Sequence, residues 1–424
     1  MSTDLAALGL AGLARALRDG GLGALEVTRA QLAALEAGGR ELGALVALAP
    51  NAEDAARAAD ARPAEERARH PLHGVPFTVK DWIEVAGLPH TDRFGVRGDE
   101  APGTDATVVR RLREAGAILV GKSRAGISAE GPRNPHDPRR SPGASSGGEA
   151  ALVASGASVL GIGSDSGGSL RWPAHCCGVA TLKPGTGRVP NSGHFPPING
   201  LADPRTVIGP LTRRVGDLEA VLRLLAGPDG RDPGAVPATL GRAVDVDVAA
   251  LRVAAFDAIG ETRCDAATSS VLAAAADRLA AAGARVEWQA PPRLDEALAI
   301  TRAYWARPES LDPERWTPSH ESVLSADQIE RSLFRWERLR RALLAFAQDF
   351  DLLLCPVAAT AAPPVGPATA EDYLFTLPFS LAGWPVAVVP AGAPEGMPIG
   401  VQIAARPFEE HVALQAATLV ENAP

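Results

Sequence analysis

The sequence predicts an α/β protein in which a β-sheet is covered by helices on both faces. Three observations lead there. From His73 onward, short apolar runs of strand length alternate with amphipathic helical stretches, the pattern of strand–helix–strand units. Hydrophobic residues are 46% and charged residues 22% of the chain, which permits a large core and excludes a disordered or collagen-like polymer. No repeat recurs at a solenoid period.

Along the chain, the first 70 residues carry leucines at helical spacing, such as Leu10, Leu13 and Leu17, interrupted by Gly20 and Gly21. They read as packed helices. GVPFTVKD and AILVGK follow as strands closed by Lys80 and Lys122, with the helical DATVVRRLREAG between them. After the Pro/Arg-rich loop RNPHDPRRSPG, residues 149–154 suit a short helix and 158–163 a strand. A helix is expected to open near Val215 to Asp217, and GPDGRDPGAVPATLGRAVD reads as a loop or hinge. LRVAAFD, a helix over 267–282 and ARVEWQ restore the alternation, whereas 305–330 is polar and poorly periodic. A helix through Trp336, Leu339, Leu343 and Phe346 leads to the strands DLLLCPV, PVAVVPA and IGVQIAA, with a final helix after Phe408.

Charge and cysteine usage exclude several functions. With 42 basic against 50 acidic residues the net charge is −8, so no global positive field is available for a nucleic-acid backbone. Four cysteines, two of them adjacent at Cys176 and Cys177, make no disulfide framework and fit a reducing compartment. Asp4 stands where a secretion signal would be basic, and Arg15 interrupts the first apolar run before it could span a bilayer. A cytoplasmic protein without a membrane partner is expected.

Only three of the basic residues are lysines: Lys80, Lys122 and Lys183. A coding bias toward arginine explains the scarcity but not the survivors. Arginine cannot lose its proton in a protein, whereas a buried lysine can become a neutral base. Each lysine is therefore a candidate for chemistry arginine cannot do, against the plainer reading of a surface lysine.

Other signals carry less. GIGSDSG holds a G-x-G, but its third glycine falls at the wrong interval for a dinucleotide fingerprint. DSGG and AHC resemble protease fragments, yet they lie within about a dozen residues of each other on an α/β pattern, which that protease architecture does not allow. None of the eight histidines has zinc-site spacing, and no metal or cofactor is implied. What remains is a dense Ser/Gly block, GASSGG at 143–148 and GSDSGGS at 163–169. Taken singly, each reads as a glycine-rich turn with serine caps. Beside Lys80 they form another constellation: a serine nucleophile, glycine N–H groups free to face an oxyanion, and a lysine base that makes histidine unnecessary.

These residues resemble the amidase signature hydrolases. The resemblance runs from GVPFTVKD through GKS, RNPHDPRRSPGASSGGEAALVASG and GIGSDSGGSLRWPAHCCGVATLKP to GPLTRRVGD. It resumes in LAGWPVAVVPAG and MPIGVQIAA. It implies one domain over 1–424 with a large mixed β-sheet sandwiched between helices. Within it would lie a helical part at 1–70, a catalytic core at 73–220, a variable substrate-side region at 230–350, and closing strands and helix at 351–424. The family's Ser, Ser, Lys triad falls on Ser169 as nucleophile, Ser145 as bridge and Lys80 as base, and the 24-residue step between the serines agrees with the family. The oxyanion would be held by backbone N–H groups of Ser166, Gly167 and Gly168, with Ser169 as a fourth candidate. Ser146, Asp165 and Arg171 match positions that hydrogen-bond around the triad, and Lys122 and Lys183 match motifs that supply supporting hydrogen bonds.

The chain has Ala144 where the family has glycine, before a peptide that the family holds cis, at a cost of about 2.5–4 kcal/mol without proline. His175 and Cys176 replace larger apolar residues and are placed at the acyl pocket. Segments 190–205, 300–345 and 360–376 are expected to line that pocket. Trp82, Trp172, Tyr304, Trp305, Phe375 and Trp384 are candidates either for it or, for most of them, for the core.

The implied activity is hydrolysis of a small-molecule amide through an acyl-serine, without cofactor. Two alternatives stand beside it: the glutaminase subunit of a tRNA-dependent amidotransferase, and a catalytically idle binding or assembly member. A short, divergent middle favours a free-standing enzyme. Oligomeric state is left open, a homodimer included.

Overall fold

Strands buried on both faces have no polar side to alternate with, which is why the strands at the heart of this sheet read as nearly unbroken apolar runs. The computed structural model describes residues 5–89, 101–126, 131–198, 203–308, 310 and 315–421, with side chains from residue 8. Met1–Asp4 of the expected leaderless start, and 199–202, 309 and 311–314 of the expected pocket segments, lie outside the described residues. The strands in chain order are β1 (Leu45–Leu48), β2 (Pro76–Lys80), β3 (Ile118–Ser123), β4 (Gly161–Asp165), β5 (Ala180–Lys183), β6 (Val207–Thr212) and β7 (Arg252–Ala255). Then come β8 (Ala258–Ile259), β9 (Thr262–Arg263), β10 (Arg285–Trp288), β11 (Leu352–Pro356), β12 (Val386–Gly392) and β13 (Ile399–Ala405).

Eleven of them form one sheet in the order β1-β3-β2-β4-β6-β5-β12-β13-β11-β7-β10, and β8 pairs with β9 alone. The sheet is mixed. β2 runs parallel to both β3 and β4, and β7 parallel to both β10 and β11, while the strands between these groups are antiparallel. Side chains alternate across the sheet, so each strand feeds two cores. In β11, Leu352 and Leu354 pack into one apolar cluster while Leu353 and Cys355 pack into another. The second cluster lies under helices Glu296–Trp305 and Ala326–Phe346 and includes Tyr304, Trp336, Leu339 and Leu343. Most predicted elements appear within a few residues of their expected bounds. β1, β5, β6, the β8–β9 pair and helices Arg171–Cys177, Glu296–Trp305 and Leu377–Ala382 are additions. No helix among the described residues is long and apolar enough to cross a membrane.

This topology positions the site. β2 and β4 are parallel neighbours, so their carboxyl ends, Lys80 and Asp165, emerge on the same side of the sheet.

Candidate active site

All three lysines are fully buried, so none is the surface lysine of the plainer reading. Lys80 ends β2 with its Nζ 2.6 Å from Ser145 Oγ and 3.0 Å from Ser164 Oγ, and 3.6 Å from the centroid of the Trp82 ring. Burial strips the ammonium of water and pushes its pKa down to about 7, against the opposing pull of Asp81, Asp165 and Glu149. Glu149, from the helix Gly147–Ala154, accepts a 2.6 Å hydrogen bond from Thr78, and burial pushes its carboxyl up to about 8. Near neutral pH, then, the buried end of β2 holds beside each other an amine and a carboxyl that both give up their charge.

Ser145 sits on the loop entering helix Gly147–Ala154, its carbonyl held at 3.1 Å by the N–H of Gly126. Ser146 Oγ donates to the Ser164 carbonyl at 3.0 Å and accepts from the Ser164 N–H at 3.2 Å, tying this loop to β4. Only a glycine fits at 163, where a Cβ would come within 2.7 Å of Ser146 Oγ. The peptide between Ala144 and Ser145, whose isomer the sequence leaves open, is trans, and the cis bond among the described residues is Phe195–Pro196. The trans form is the intrinsically favoured one for a peptide without proline. Ser169, half-buried on the loop after β4, accepts the Ser146 N–H on its carbonyl at 3.2 Å. Ser145 Oγ is engaged by Lys80, and Ser169 Oγ forms no hydrogen bond with another described residue.

The backbone N–H groups of Ser166, Gly167 and Gly168 have no protein acceptor among the described residues. Gly168 has φ 146°, and a Cβ there would meet Thr376 Oγ1 at 2.5 Å. Gly167 is walled by Trp305 and Leu377, each 3.3 Å from where its Cβ would stand, and its carbonyl accepts from Thr376 Oγ1. Ser166 Oγ is paired with Thr206 Oγ1. The loop thus presents a row of unpaired N–H donors against an aromatic wall, since Tyr373 packs edge-on to both Trp172 and Trp305. Segments 300–345 and 360–376 reach the glycines as expected, through Trp305, Tyr373 and Thr376. Phe375 and Trp384 belong to the core.

Asp165 and Arg171 fix this loop from beneath. Both are fully buried, with Arg171 Nε and Nη2 donating to the two carboxylate oxygens at 3.0 and 2.9 Å. Burial raises the Asp165 carboxyl and Arg171 outweighs that, leaving it below the usual range. Arg171 also donates to the Thr376 carbonyl at 2.7 Å and to Ser380 Oγ at 2.6 Å, and Leu170 N–H donates to Asp165 at 3.1 Å. One buried ion pair therefore joins the loop that carries Ser169 to the segment that walls the glycines.

Several expectations need correction. Lys183 supports the fold as predicted, donating to the carbonyls of Pro184 and Trp384 at 3.0 and 2.8 Å. Lys122 does not, because its buried Nζ has no hydrogen-bond partner among the described residues; burial pushes it down to about 8. His175 is not at an acyl pocket: its Nδ1 accepts from Gly400 N–H at 3.0 Å and its Nε2 donates to the Thr360 carbonyl at 3.0 Å. Cys176 is fully buried in the same apolar cluster as Cys177, and desolvation pushes its thiol well above the ordinary range, the opposite of an activated thiolate. The residues not foreseen are Ser164 and His194. His194 Nε2 lies 2.9 Å from Ser164 Oγ, and its loop bridges Ile83. No spacing in the sequence marks either of them.

Comparison with known proteins places this arrangement in context. The family model described as Amidase matches residues 26–313 and 312–414. The indoleacetamide hydrolase of Bradyrhizobium diazoefficiens is 33% identical over an alignment covering 96% of this chain and 85% of that protein. A glutamyl-tRNA(Gln) amidotransferase subunit of Chloroflexus aurantiacus is 34% identical, covering 97% of this chain and 96% of that protein. Among solved structures, a protein from a complex that reveals the evolutionary origins of an s-triazine catabolic enzyme superposes with a TM-score of 0.86 at 28% identity, covering 98% of both chains.

Proposed function

This chain belongs to the amidase signature family, and on that premise we propose that it hydrolyses a small-molecule carboxylic amide to an acid and an amine or ammonia through an acyl-Ser169 intermediate. One observation supports the reading above all others: a fully buried amine, with its pKa near 7, lies 2.6 Å from a serine on the loop that adjoins the glycine-rich strand end.

In this mechanism the uncharged Lys80 accepts the Ser145 proton while Ser145 accepts that of Ser169, whose hydroxyl rotates toward it as substrate enters. Ser169 Oγ attacks the amide carbon, and the carbonyl electron pair moves onto oxygen. That oxyanion is met by the N–H groups of Ser166, Gly167 and Gly168, which face no competing acceptor and need no reorganisation. As the C–N bond breaks, the proton returns from Lys80 through Ser145 to the leaving nitrogen. Water, deprotonated by the same chain, then releases the acid from Ser169. Ser146, Asp165 and Arg171 hold the two loops in register and take no proton.

A screen of small aryl and aliphatic amides, with acid quench and mass detection of the acyl group, tests this. The expected result is an acyl mass on the peptide containing Ser169; folded protein that yields neither product nor adduct across the panel sinks the proposal and leaves the idle-member reading. Likeness to a subunit of an amidotransferase carries a second reading, that of a glutaminase working in a complex. Ammonia release from glutamine that appears only with two co-purifying subunits would favour it.

A further inference from the structure

A lysine amine among several hydroxyls has no inherent reason to aim its lone pair at one of them. Here the direction can be worked out from the far end of a hydrogen-bond chain. His194 Nδ1 lies 3.0 Å from the carbonyl of Pro196, which can only accept, so Nδ1 carries the proton. The ring is buried, and desolvation followed by the nearby Lys80 pushes its imidazolium down to about 4, against the hydrogen bond to the Pro196 carbonyl and the pull of Asp203. Near neutrality Nε2 therefore bears a lone pair.

Ser164 Oγ, 2.9 Å from that nitrogen, has one proton and gives it to the ring. Toward Lys80, 3.0 Å away, Ser164 can offer only an accepting oxygen. One amine N–H goes there. A second faces the Trp82 ring, 3.6 Å to the centroid, whose electron-rich face also accepts. A neutral amine has two N–H bonds and one lone pair, and the remaining contact is Ser145 Oγ at 2.6 Å.

We infer that His194, acting through Ser164, and Trp82 are positioning residues that turn the lone pair of Lys80 onto the Ser145 hydroxyl. The inference rests on the proposed role of Lys80 as base. The two positioning residues hold each other: their rings meet edge-on at 86°, and Phe195 N–H donates to the Trp82 carbonyl at 2.8 Å. The acidic residues around the amine, Asp81, Asp165 and Glu149, lie outside its hydrogen bonds and set how readily it loses a proton, not where its lone pair points.

The test is the pH dependence, from 5 to 9, of the rate at which a fluorophosphonate labels Ser169. In His194→Phe the Ser164 proton is released from the ring and competes for the amine lone pair. The plateau rate is expected to fall about tenfold, with the midpoint of the acid limb at or below that of the wild type, because the freed hydroxyl stabilises the uncharged amine. His194→Gln restores an accepting oxygen and should recover most of the rate. Ser164→Ala breaks the same chain without touching the ring, and it carries the test with the same expected fall if the ring variant does not fold. A wild-type rate and midpoint in His194→Phe overturn the inference. So does a midpoint moved toward the ordinary lysine range, the sign of water entering a loosened site, or a failure of His194→Gln to recover. Absence of labelling in the wild type would instead sink the amidase reading itself.

Discussion

Lowering the pH is the perturbation that acts most directly on a buried base. A lysine with a midpoint near 7 is about half uncharged at pH 7, whereas one at 10.5 would be uncharged in about three molecules in ten thousand. Burial at the end of β2 thus supplies about a thousandfold more free base than an exposed lysine would. The sign follows from the mechanism: protonation removes the base, so activity is lost as pH falls through the folded midpoint. kcat/KM for the best amide of the screen, measured from pH 5 to 9 at fixed ionic strength, should fall about tenfold per unit well below 7 and level off above it. Glu149→Gln sharpens the assay. It preserves an acceptor for Thr78, and because burial holds the Glu149 carboxyl at about 8 and therefore largely uncharged through this limb, the variant should leave the midpoint near 7. A profile still climbing toward pH 10, or one flat from 5 to 9, refutes the reasoning.

Three substitutions extend the account. Lys80→Arg keeps the charge and cannot deprotonate, so turnover should drop by about 10²-fold or more at every pH tested, read as kcat/KM. Asp165→Asn leaves the fully buried Arg171 without its counter-charge and should cost about 3–5 kcal/mol of unfolding free energy in a urea titration. Gly168→Ala puts a Cβ 2.5 Å from Thr376 Oγ1 at φ 146°; if the proposed oxyanion role of this loop holds, kcat should fall while far-UV circular dichroism stays unchanged, because the loop must move.

The sequence made the strand ends legible because burial on both faces leaves uninterrupted apolar runs. Lys80 stood out at the end of one of them. The Ser/Gly block was legible for a steric reason that the structure makes concrete: at 163 and 168 a side chain would strike Ser146 or Thr376. β6 was missed because Gly209 and Pro210 read locally as a turn. In the fold Gly209 is required by the close approach of the Leu182 carbonyl, 2.3 Å from where its Cβ would stand, and the Pro210 carbonyl is taken up by Thr181 Oγ1 at 2.7 Å. Here tertiary packing overrides local propensity. β1 and β5, at four residues each, are too short to show a period. His194 was illegible for a different reason. It is 30 residues from Ser164 in sequence, in a loop with no regular pattern, and only the folded chain brings its ring to the hydroxyl.

Because the chain has only three lysines, protein labelled with ¹⁵N-lysine should give three Nζ resonances, and loss of one in Lys80→Arg assigns it. Followed from pH 5 to 11, the Lys80 resonance should shift from ammonium to amine with a midpoint near 7. If it stays an ammonium through pH 9, no neutral base exists to start the proton chain, and the proposed catalysis by Lys80 is wrong.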